Sequence, residues 1–236
     1  MQLPKIQYPL TTIEIPSTKK RVAFRPFLVK EEKILLLAKE SEQKEDIYLA
    51  ILQVINNCAA DTTFDCSKLT LFDMEYLYLK LHGISVNNVI NVSYKDSEDE
   101  KLYEFQIPID KVEIKWPDKA VHKIEINQKT GLIMKYVRAD LFKDKEFINS
   151  GQEAFFKILC KSIDQIYDGE LLFDCSSYTE QEIQQFVESL DAKVFEKMVA
   201  FVSNPPNIYF ELNYTNTKGT ARKIELKTLQ DFFTLR

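Results

Sequence analysis

Residues 64–81 read FDCSKLTLFDMEYLYLKL, and residues 173–190 read FDCSSYTEQEIQQFVESL. The two stretches begin with the same tetrapeptide, Phe-Asp-Cys-Ser. In the first stretch Thr70 stands three residues before Asp73, and Thr179 precedes an acidic residue at the same spacing in the second. This is the spacing of a helix capping box, in which the hydroxyl and the carboxylate accept hydrogen bonds from free backbone N–H groups at the start of a helix. Each stretch therefore predicts a helix that begins just after its threonine.

The segments on either side of the two stretches follow a common order. An amphipathic helix is predicted before each stretch, at 46–58 and at 152–167, from apolar residues at helical spacing. A β-hairpin is predicted after each stretch, at 89–109 and at 208–229, from alternating apolar residues around a polar turn. The sequence thus predicts an α+β fold with two related helix–helix–hairpin halves, in which helices pack against antiparallel hairpins. The alternative is that the shared tetrapeptide is a coincidence.

The two predicted halves place a domain boundary after residue 142. The N-terminal domain, 1–142, holds the first helix–helix–hairpin unit together with a β-hairpin at 8–28, a helix at 29–41 and further strands at 117–142. The C-terminal domain, 143–236, is the second unit. A chain of 236 residues is long enough to bury a substantial core without disulfides or metal ions.

The composition is that of a globular protein, since 45% of the residues are hydrophobic and 28% are charged. The formal net charge is −5, and an acidic protein has no general electrostatic attraction to phosphate backbones. A nucleic-acid-binding module is therefore an alternative that the charge opposes, and we expect no nucleic acid among the partners. No run of the sequence approaches the roughly 20 apolar residues that cross a bilayer, so we expect no membrane contact either.

The four cysteines, Cys58, Cys66, Cys160 and Cys175, are expected to be reduced thiols. None forms a C-x-x-C pair, and the N-terminus lacks the apolar run of a secretory signal peptide. Both features are typical of a cytoplasmic protein, in which cysteine packs as a small apolar side chain.

The sequence offers no motif for catalysis, for a cofactor or for a metal ion. Its two histidines, His82 and His122, are not in a metal-binding spacing, and no phosphate-binding glycine loop or nucleophile motif is present. His82 is predicted to end a helix before Gly83, where its charged form would interact with the helix dipole. The acidic run at 96–100 is predicted to form a solvated turn. A cell-wall hydrolase, which needs a pair of carboxylates in a cleft, is an alternative that no motif supports.

Three separated blocks of the chain share the pattern of one known family. They are RPFLVKEEKILLLA at 25–38, LTLFDMEYL at 69–77 and GLIMKY at 131–136. In this order they resemble the baseplate hub and hub-assembly proteins of T-even-type contractile-tailed bacteriophages, over about residues 8–140 and more loosely beyond. The motif positions in the first two blocks are Arg25, Pro26, Phe27, Glu31, Glu32, Lys33, Leu69, Phe72, Asp73 and Tyr76.

The resemblance implies a non-enzymatic protein that helps to assemble the central hub of a contractile tail by docking other hub proteins. Two roles stay open: a subunit retained in the virion tail baseplate, or a chaperone that acts in the host cytoplasm during assembly and then departs. The resemblance leaves an oligomer open as well. The candidate docking surfaces are the apolar C-terminus, with Phe232 and Phe233, and the exposed edges of the hairpins, because a strand edge can bind a partner strand.

The chain departs from the family pattern at two places. Members of the family often carry cysteines that look metal-binding in both hairpin turns, whereas the turns here, 94–99 and 214–219, contain none. No zinc site is therefore expected in this chain. His82 stands where the family pattern has an arginine, so the contact made by that charge is not carried over.

Overall fold

Helices and antiparallel strands make up the protein, which confirms the predicted α+β class. The architecture is that of a computed structural model, which describes residues 6–41, 43–144, 147 and 153–234. The helices are α1 (Val29–Glu40), α2 (Lys44–Cys58), α3 (Leu71–Ser85), α4 (Ala154–Lys161), α5 (Glu180–Glu188), α6 (Ala192–Val202) and α7 (Leu229–Thr234). The strands are β1 (Thr11–Glu14), β2 (Arg21–Phe24), β3 (Val89–Lys95), β4 (Leu102–Pro108), β5 (Glu113–Lys115), β6 (Lys123–Glu125), β7 (Thr130–Met134), β8 (Ile163–Asp168), β9 (Leu171–Asp174), β10 (Asn207–Thr215) and β11 (Ala221–Leu226).

Contacts within the chain group it into two compact units. Unit 1 consists of Met1–Lys115 together with Asn207–Arg236, and unit 2 is Trp116–Pro206. The chain therefore leaves unit 1, forms unit 2 and returns to unit 1 for its last hairpin and helix. The division into domains 1–142 and 143–236, which followed the sequence repeat, stays a prediction.

Among the described residues, unit 1 forms three antiparallel sheets. β1 pairs with β2, β3 pairs with β4, and β10 lies between β11 and β5. The hairpins predicted at 8–28, 89–109 and 208–229 are confirmed, although the last one ends at Leu226 and Leu229 already begins α7. Because β10 pairs with β5, the hairpin assigned to the second half of the repeat lies in unit 1.

Both Phe-Asp-Cys-Ser stretches start a helix in the predicted way. Asp65 and Asp174 each accept a hydrogen bond from the backbone N–H two residues ahead, and a short 3-10 turn follows each of them. Thr70 then closes the capping box of α3, and Thr179 closes that of α5. The local geometry of the repeat is confirmed, and the common origin of its two copies stays a prediction.

The helix predicted over 152–167 is wrong in its second half. α4 ends at Lys161, and the residues after it form β8, which lies between β7 and β9. Ile166 of β8 lies opposite Leu132 of β7, so a β-branched side chain sits in the sheet that such residues favour. An apolar run this short fits a helix and a strand alike, and the pairing with β7 decides for the strand. Residue 152 lies outside the described residues.

The helix α3 continues past the point at which the sequence predicted its end. Gly83 lies inside α3, which runs to Ser85. A Cβ atom at Gly83 would come within 3.3 Å of the side chain of Ile109, so the absence of that atom lets the 3-10 turn at Ile109–Lys111 pack closely against the helix.

In the part of unit 2 that the structure describes, a four-stranded antiparallel sheet packs against helices. The strand order is β6-β7-β8-β9. Buried side chains of the sheet and of α4, α5 and α6 form one apolar core, in which Leu132, Leu159, Val187 and Met198 are nearly inaccessible to solvent. Burial of this apolar surface is the main source of stability for such a unit.

Candidate functional site

The motif residues of the first block form a buried ion pair. The guanidinium of Arg25 donates to both carboxylate oxygens of Glu31, at 3.1 and 2.9 Å, and Glu31 is fully buried. Arg25 also donates to the carbonyl oxygen of Asn57 near the end of α2 (2.8 Å), and Glu31 accepts the backbone N–H of Leu28 at the start of α1 (3.0 Å). Burial raises the pKa of Glu31, but the hydrogen bonds from Arg25 and Leu28 outweigh it and leave the pKa below its ordinary value. The pair joins the end of β2 to both α1 and α2.

A second buried carboxylate, that of Asp73, joins the first hairpin to α3. It accepts hydrogen bonds from the backbone N–H of Ser17 (2.9 Å) and from the hydroxyl groups of Ser17 and Thr70. Ser17 lies in the turn between β1 and β2, whereas Thr70 is the N-cap of α3. The capping box therefore also fixes the hairpin to the start of the helix.

An aromatic row connects the first motif block to the C-terminus. The ring of Phe27 stacks on Tyr78 of α3 (centroids 6.0 Å apart), and Phe233 of α7 lies against both Tyr78 (5.7 Å) and His82 (5.1 Å). Burial lowers the pKa of His82, so the ring is neutral at pH 7 and packs as an aromatic group. The predicted interaction of a charged His82 with the helix dipole is therefore wrong, because the ring is packed inside the unit.

The two candidate docking residues differ in their exposure. Phe232 is 1% exposed, whereas Phe233 is 39% exposed. Phe232 therefore belongs to the interior of unit 1, and only Phe233 offers an accessible ring. Docking of a partner by these residues stays a prediction.

A buried glutamate of α3 faces the start of α7. Glu75 accepts the backbone N–H of Leu229, and the carboxylate of Asp231 lies near it. Burial and the neighbouring Asp231 raise the pKa of Glu75 to about 8, so the side chain is mostly protonated at pH 7. Asp231 itself caps α7, because it accepts the backbone N–H groups of Lys227 and Thr228, both at 2.9 Å.

The turns of the two long hairpins of unit 1 are bound to one another through a polar network, here called the hairpin clasp. It consists of the turn at 96–101 and the turn at 216–220 with the nearby Tyr214 and Arg222. Asp96 accepts hydrogen bonds from the hydroxyl of Tyr214 (2.6 Å) and from Arg222 (3.1 and 3.2 Å). These partners are more than 100 residues away in the sequence, so the clasp is a tertiary feature.

Glu98 and Asp99 of the first turn complete the hairpin clasp. Glu98 accepts the side-chain amide of Asn216 (2.6 Å), and Asp99 accepts both the backbone N–H (3.0 Å) and the hydroxyl (2.7 Å) of Thr217. Lys218 donates to the carbonyl oxygen of Glu98 (2.6 Å). Charged and polar side chains thus make the contact between the two turns.

Asp96 is 1% exposed, so the prediction of a solvated turn is wrong at this position. The hydrogen bond from Tyr214, together with those from the backbone of Glu98 and from Arg222, lowers the pKa of Asp96 to about 2. Below the clasp, the ring of Tyr214 contacts that of Tyr103 (4.7 Å) and that of Phe105 (5.3 Å). The charged network thus lies over an aromatic contact between the hairpins.

A family model described as T4 bacteriophage base plate protein matches residues 7–234. The chain belongs to this family. A search of the curated proteins and a search of the solved structures found no match. The family match covers both units and extends the earlier resemblance to the C-terminus. It supports a structural role for this base plate protein in the phage baseplate, together with contacts to other baseplate proteins.

The motif residues of this base plate protein lie mainly inside unit 1. Phe27, Glu31, Phe72 and Asp73 are buried. The half-buried ones are Arg25, Pro26, Leu69 and Tyr76, and the exposed ones are Glu32 and Lys33. The motif therefore serves the fold more than the surface. Sequence reasoning missed Glu75 and Arg222, which have no local pattern, since their partners come from distant segments.

The larger of the pockets described in unit 2 has a volume of about 510 Å³ and is lined by opposite charges. Several of these charges pair with one another: Arg138 binds Asp140 (2.6 Å), and Lys161 binds both Asp144 (2.9 Å) and Glu180. In the part of the chain that the structure describes, no three His, Cys, Asp or Glu side chains are grouped as a metal ion requires. No described helix is long and apolar enough to cross a membrane.

Three of the four cysteine thiols have a raised pKa and are not activated. Burial raises the pKa of Cys58, Cys160 and Cys175 to about 11, so these thiols stay protonated at pH 7. Cys66 is buried as well. A protonated, buried thiol is a poor nucleophile and packs as a small apolar side chain.

We expect Glu31→Gln to lower the free energy of unfolding by about 3 kcal/mol, because it leaves the half-buried Arg25 without its counter-charge. Urea unfolding followed by circular dichroism measures the change. The control is Glu14→Gln, which removes the exposed pair with Arg21 (3.6 Å) and should cost less than about 0.5 kcal/mol. An equal loss in the two variants would contradict a special role for the buried pair.

Glu75→Gln should make the protein more stable above pH 7. The folded state keeps a proton on Glu75 up to about pH 8, whereas the unfolded chain releases it near pH 4.5, so stability falls by up to about 1.4 kcal/mol per pH unit between these values. Glutamine keeps the acceptor for the N–H of Leu229 and removes this loss. Thermal unfolding of the variant and the parent at several pH values from 5 to 9 measures this difference in stability. The control is Glu32→Gln, at an exposed position, which should leave the pH dependence of stability unchanged.

Asp96→Asn should destabilise the protein at pH 6 but have a much smaller effect at pH 2. The pKa of Asp96 is lowered by its partners, so its contribution is present above about pH 3.8 and is lost as the pH falls towards 2. Thermal unfolding of the variant and the parent at both pH values measures the difference. Glu104→Gln, at an exposed position on the same hairpin, is the control, and a loss at pH 6 as large as that of Asp96→Asn would argue against the clasp.

Proposed function

We propose that this base plate protein acts in the assembly of the central hub of a contractile tail, as a non-enzymatic protein that docks other hub proteins. The proposal is carried by α1, which belongs to the first motif block. Three of its apolar side chains face solvent, since Val29, Leu36 and Leu37 are 82%, 62% and 57% exposed. An apolar surface of this kind is typical of a protein–protein contact.

The buried motif residues fix the orientation of this helix. Glu31 and Ala38 are the buried residues of α1, and Glu31 is bound to Arg25. Because the ion pair holds the start of α1, the helix can present Leu36 and Leu37 to a partner without rearrangement. A preformed surface binds at a lower entropic cost than a segment that must first become ordered.

The chemistry of the ionisable groups supports a non-enzymatic role. The thiols of Cys58, Cys160 and Cys175 are protonated at pH 7, and the acidic side chains at 96, 98 and 99 are occupied by structural partners. Glu75 has a raised pKa, which is common at catalytic sites, but it faces the backbone of α7 and does not line either of the described pockets. A cell-wall hydrolase would need a pair of carboxylates in a cleft.

Disruption of the gene, followed by complementation, tests the proposal. We expect infection without this protein to give tails that lack complete hubs, as seen by electron microscopy, and the wild-type gene to restore them. Leu36→Lys combined with Leu37→Lys should fail to restore hubs, because the charges disrupt an apolar contact at little cost to the fold. The control is Val86→Lys, at an apolar residue that is 58% exposed just after α3 and outside the hairpins.

Mass spectrometry of the purified virions separates the two hub roles. Peptides of this protein at the level of the other hub proteins indicate a retained subunit. Their absence, together with recovery of hub proteins in a pull-down from infected cells, indicates an assembly chaperone. Normal hubs in the absence of the protein would refute both roles.

A further inference from the structure

One edge of the sheet in unit 2 is formed by β9. This strand pairs with β8 over all of its four residues, from Asp168 opposite Leu171 to Gln165 opposite Asp174. Among the described residues, no strand pairs with its other side. Alternate residues of an edge strand direct their N–H and C=O groups away from the sheet, so this edge can accept another strand.

The exposed side chains along β9 are mainly apolar. Leu171 and Leu172 are 62% and 63% exposed, and the pairing of β8 with β9 is regular. The opposite edge of the same sheet, β6, instead exposes the charged residues Lys123 and Glu125. Exposed charges, prolines and bulges discourage strand addition, whereas exposed apolar side chains favour it. The two edges of the sheet therefore differ in what they can bind.

The two leucines lie on opposite faces of the sheet. Ile166 of β8 lies opposite Leu132 of β7 and packs on the apolar core. Phe173 of β9 lies opposite Ile166 and is therefore on the core face, and Leu171, two residues before it, is on the same face. Leu172 lies opposite Tyr167, on the other face. A strand added beside β9 would cover Leu171 on one face and Leu172 on the other, in addition to its backbone hydrogen bonds.

The charges around β9 define the chemistry of the added strand. Asp168 and Glu170 at the turn and Asp174 at the end of the strand are exposed acidic residues. Lys135 pairs with Asp164 on β8 (3.1 Å) and lies near Asp174, and Lys123 lies over the ring of Tyr167 (4.8 Å), so the excess negative charge at this edge is that of Asp168 and Glu170 at the turn. Basic side chains on the partner would complement these carboxylates. A second copy of this chain would bring the same acidic residues to the contact, so the charges oppose it.

We propose that the edge of β9 binds an extended segment of another baseplate protein by strand addition, and that this segment alternates apolar and basic side chains. The inference deepens the proposed function, on which it rests, because it names a docking surface and the chemistry of its partner. Backbone hydrogen bonds supply affinity in this mode of recognition, and the alternating side chains supply specificity.

The test is an NMR titration of the full-length protein with a peptide of about eight residues that alternates valine and lysine. We expect shifts and slower amide exchange at Leu171–Asp174, with no comparable change on α1. Leu171→Lys combined with Leu172→Lys should weaken binding at least about tenfold, whereas Leu36→Lys combined with Leu37→Lys should not. A peptide of alternating valine and glutamate should also bind at least about tenfold more weakly than the lysine peptide.

Three results would overturn the inference. They are the absence of any change at Leu171–Asp174 at millimolar peptide, equal binding of the two peptides, and a self-association of the protein that the β9 variant abolishes. The last result would mean that a second copy of this chain, and not another baseplate protein, binds the edge of β9. The NMR spectrum of the β9 variant shows whether the variant is folded. We expect it to be folded, because both substituted residues are exposed.

The inference and the proposed function fail separately. If the β9 variant restores normal hubs in the complementation experiment and the peptide does not bind, the inference alone is refuted. If hubs form normally without the protein, the proposed function is refuted, whatever the peptide does. Loss of hubs with the β9 variant, together with peptide binding by the parent protein, supports the inference.

Discussion

The buried pair of Arg25 and Glu31 is the constraint on which much of unit 1 depends. A carboxylate with no solvent exposure is costly unless its oxygens are bound by donors, and here the guanidinium and the N–H of Leu28 supply them. Arg25 also binds the backbone of Asn57, so β2, α1 and α2 are held by one group. A shift of any of these elements would leave a charge unpaired. The same constraint decides which side of α1 faces solvent.

Acidic side chains act as connectors elsewhere in unit 1. Asp73 binds a turn to a helix start, and Asp96 binds one hairpin to another through Tyr214 and Arg222. A carboxylate accepts several hydrogen bonds in different directions, which suits it to join segments that are distant in the sequence. The chain thus has a net negative charge without open acidic clusters in these places, because the structural carboxylates are occupied by donors.

A baseplate is an assembly in which each protein must present fixed surfaces to its neighbours. The family match places this chain in such an assembly. Two pairs of exposed leucines are the proposed docking surfaces: Leu36 and Leu37 on α1, and Leu171 and Leu172 on the sheet edge β9. The first suits packing against an apolar surface, and the second suits an extended segment. Both lie on regular secondary structure, which holds the side chains in place without a partner.

The sequence by itself determined the features that depend on neighbouring residues. The capping boxes at Thr70 and Thr179, the hairpins and the family blocks could be predicted because a cap or a turn involves residues only a few positions apart. The family resemblance likewise rests on short blocks, and the match to the base plate family confirmed it. The tertiary structure alone decided that residues after Lys161 form a strand, that Asp96 is buried and that β10 pairs with β5. Each of these depends on partners from distant segments, and local spacing carries no information about which distant segment will supply them.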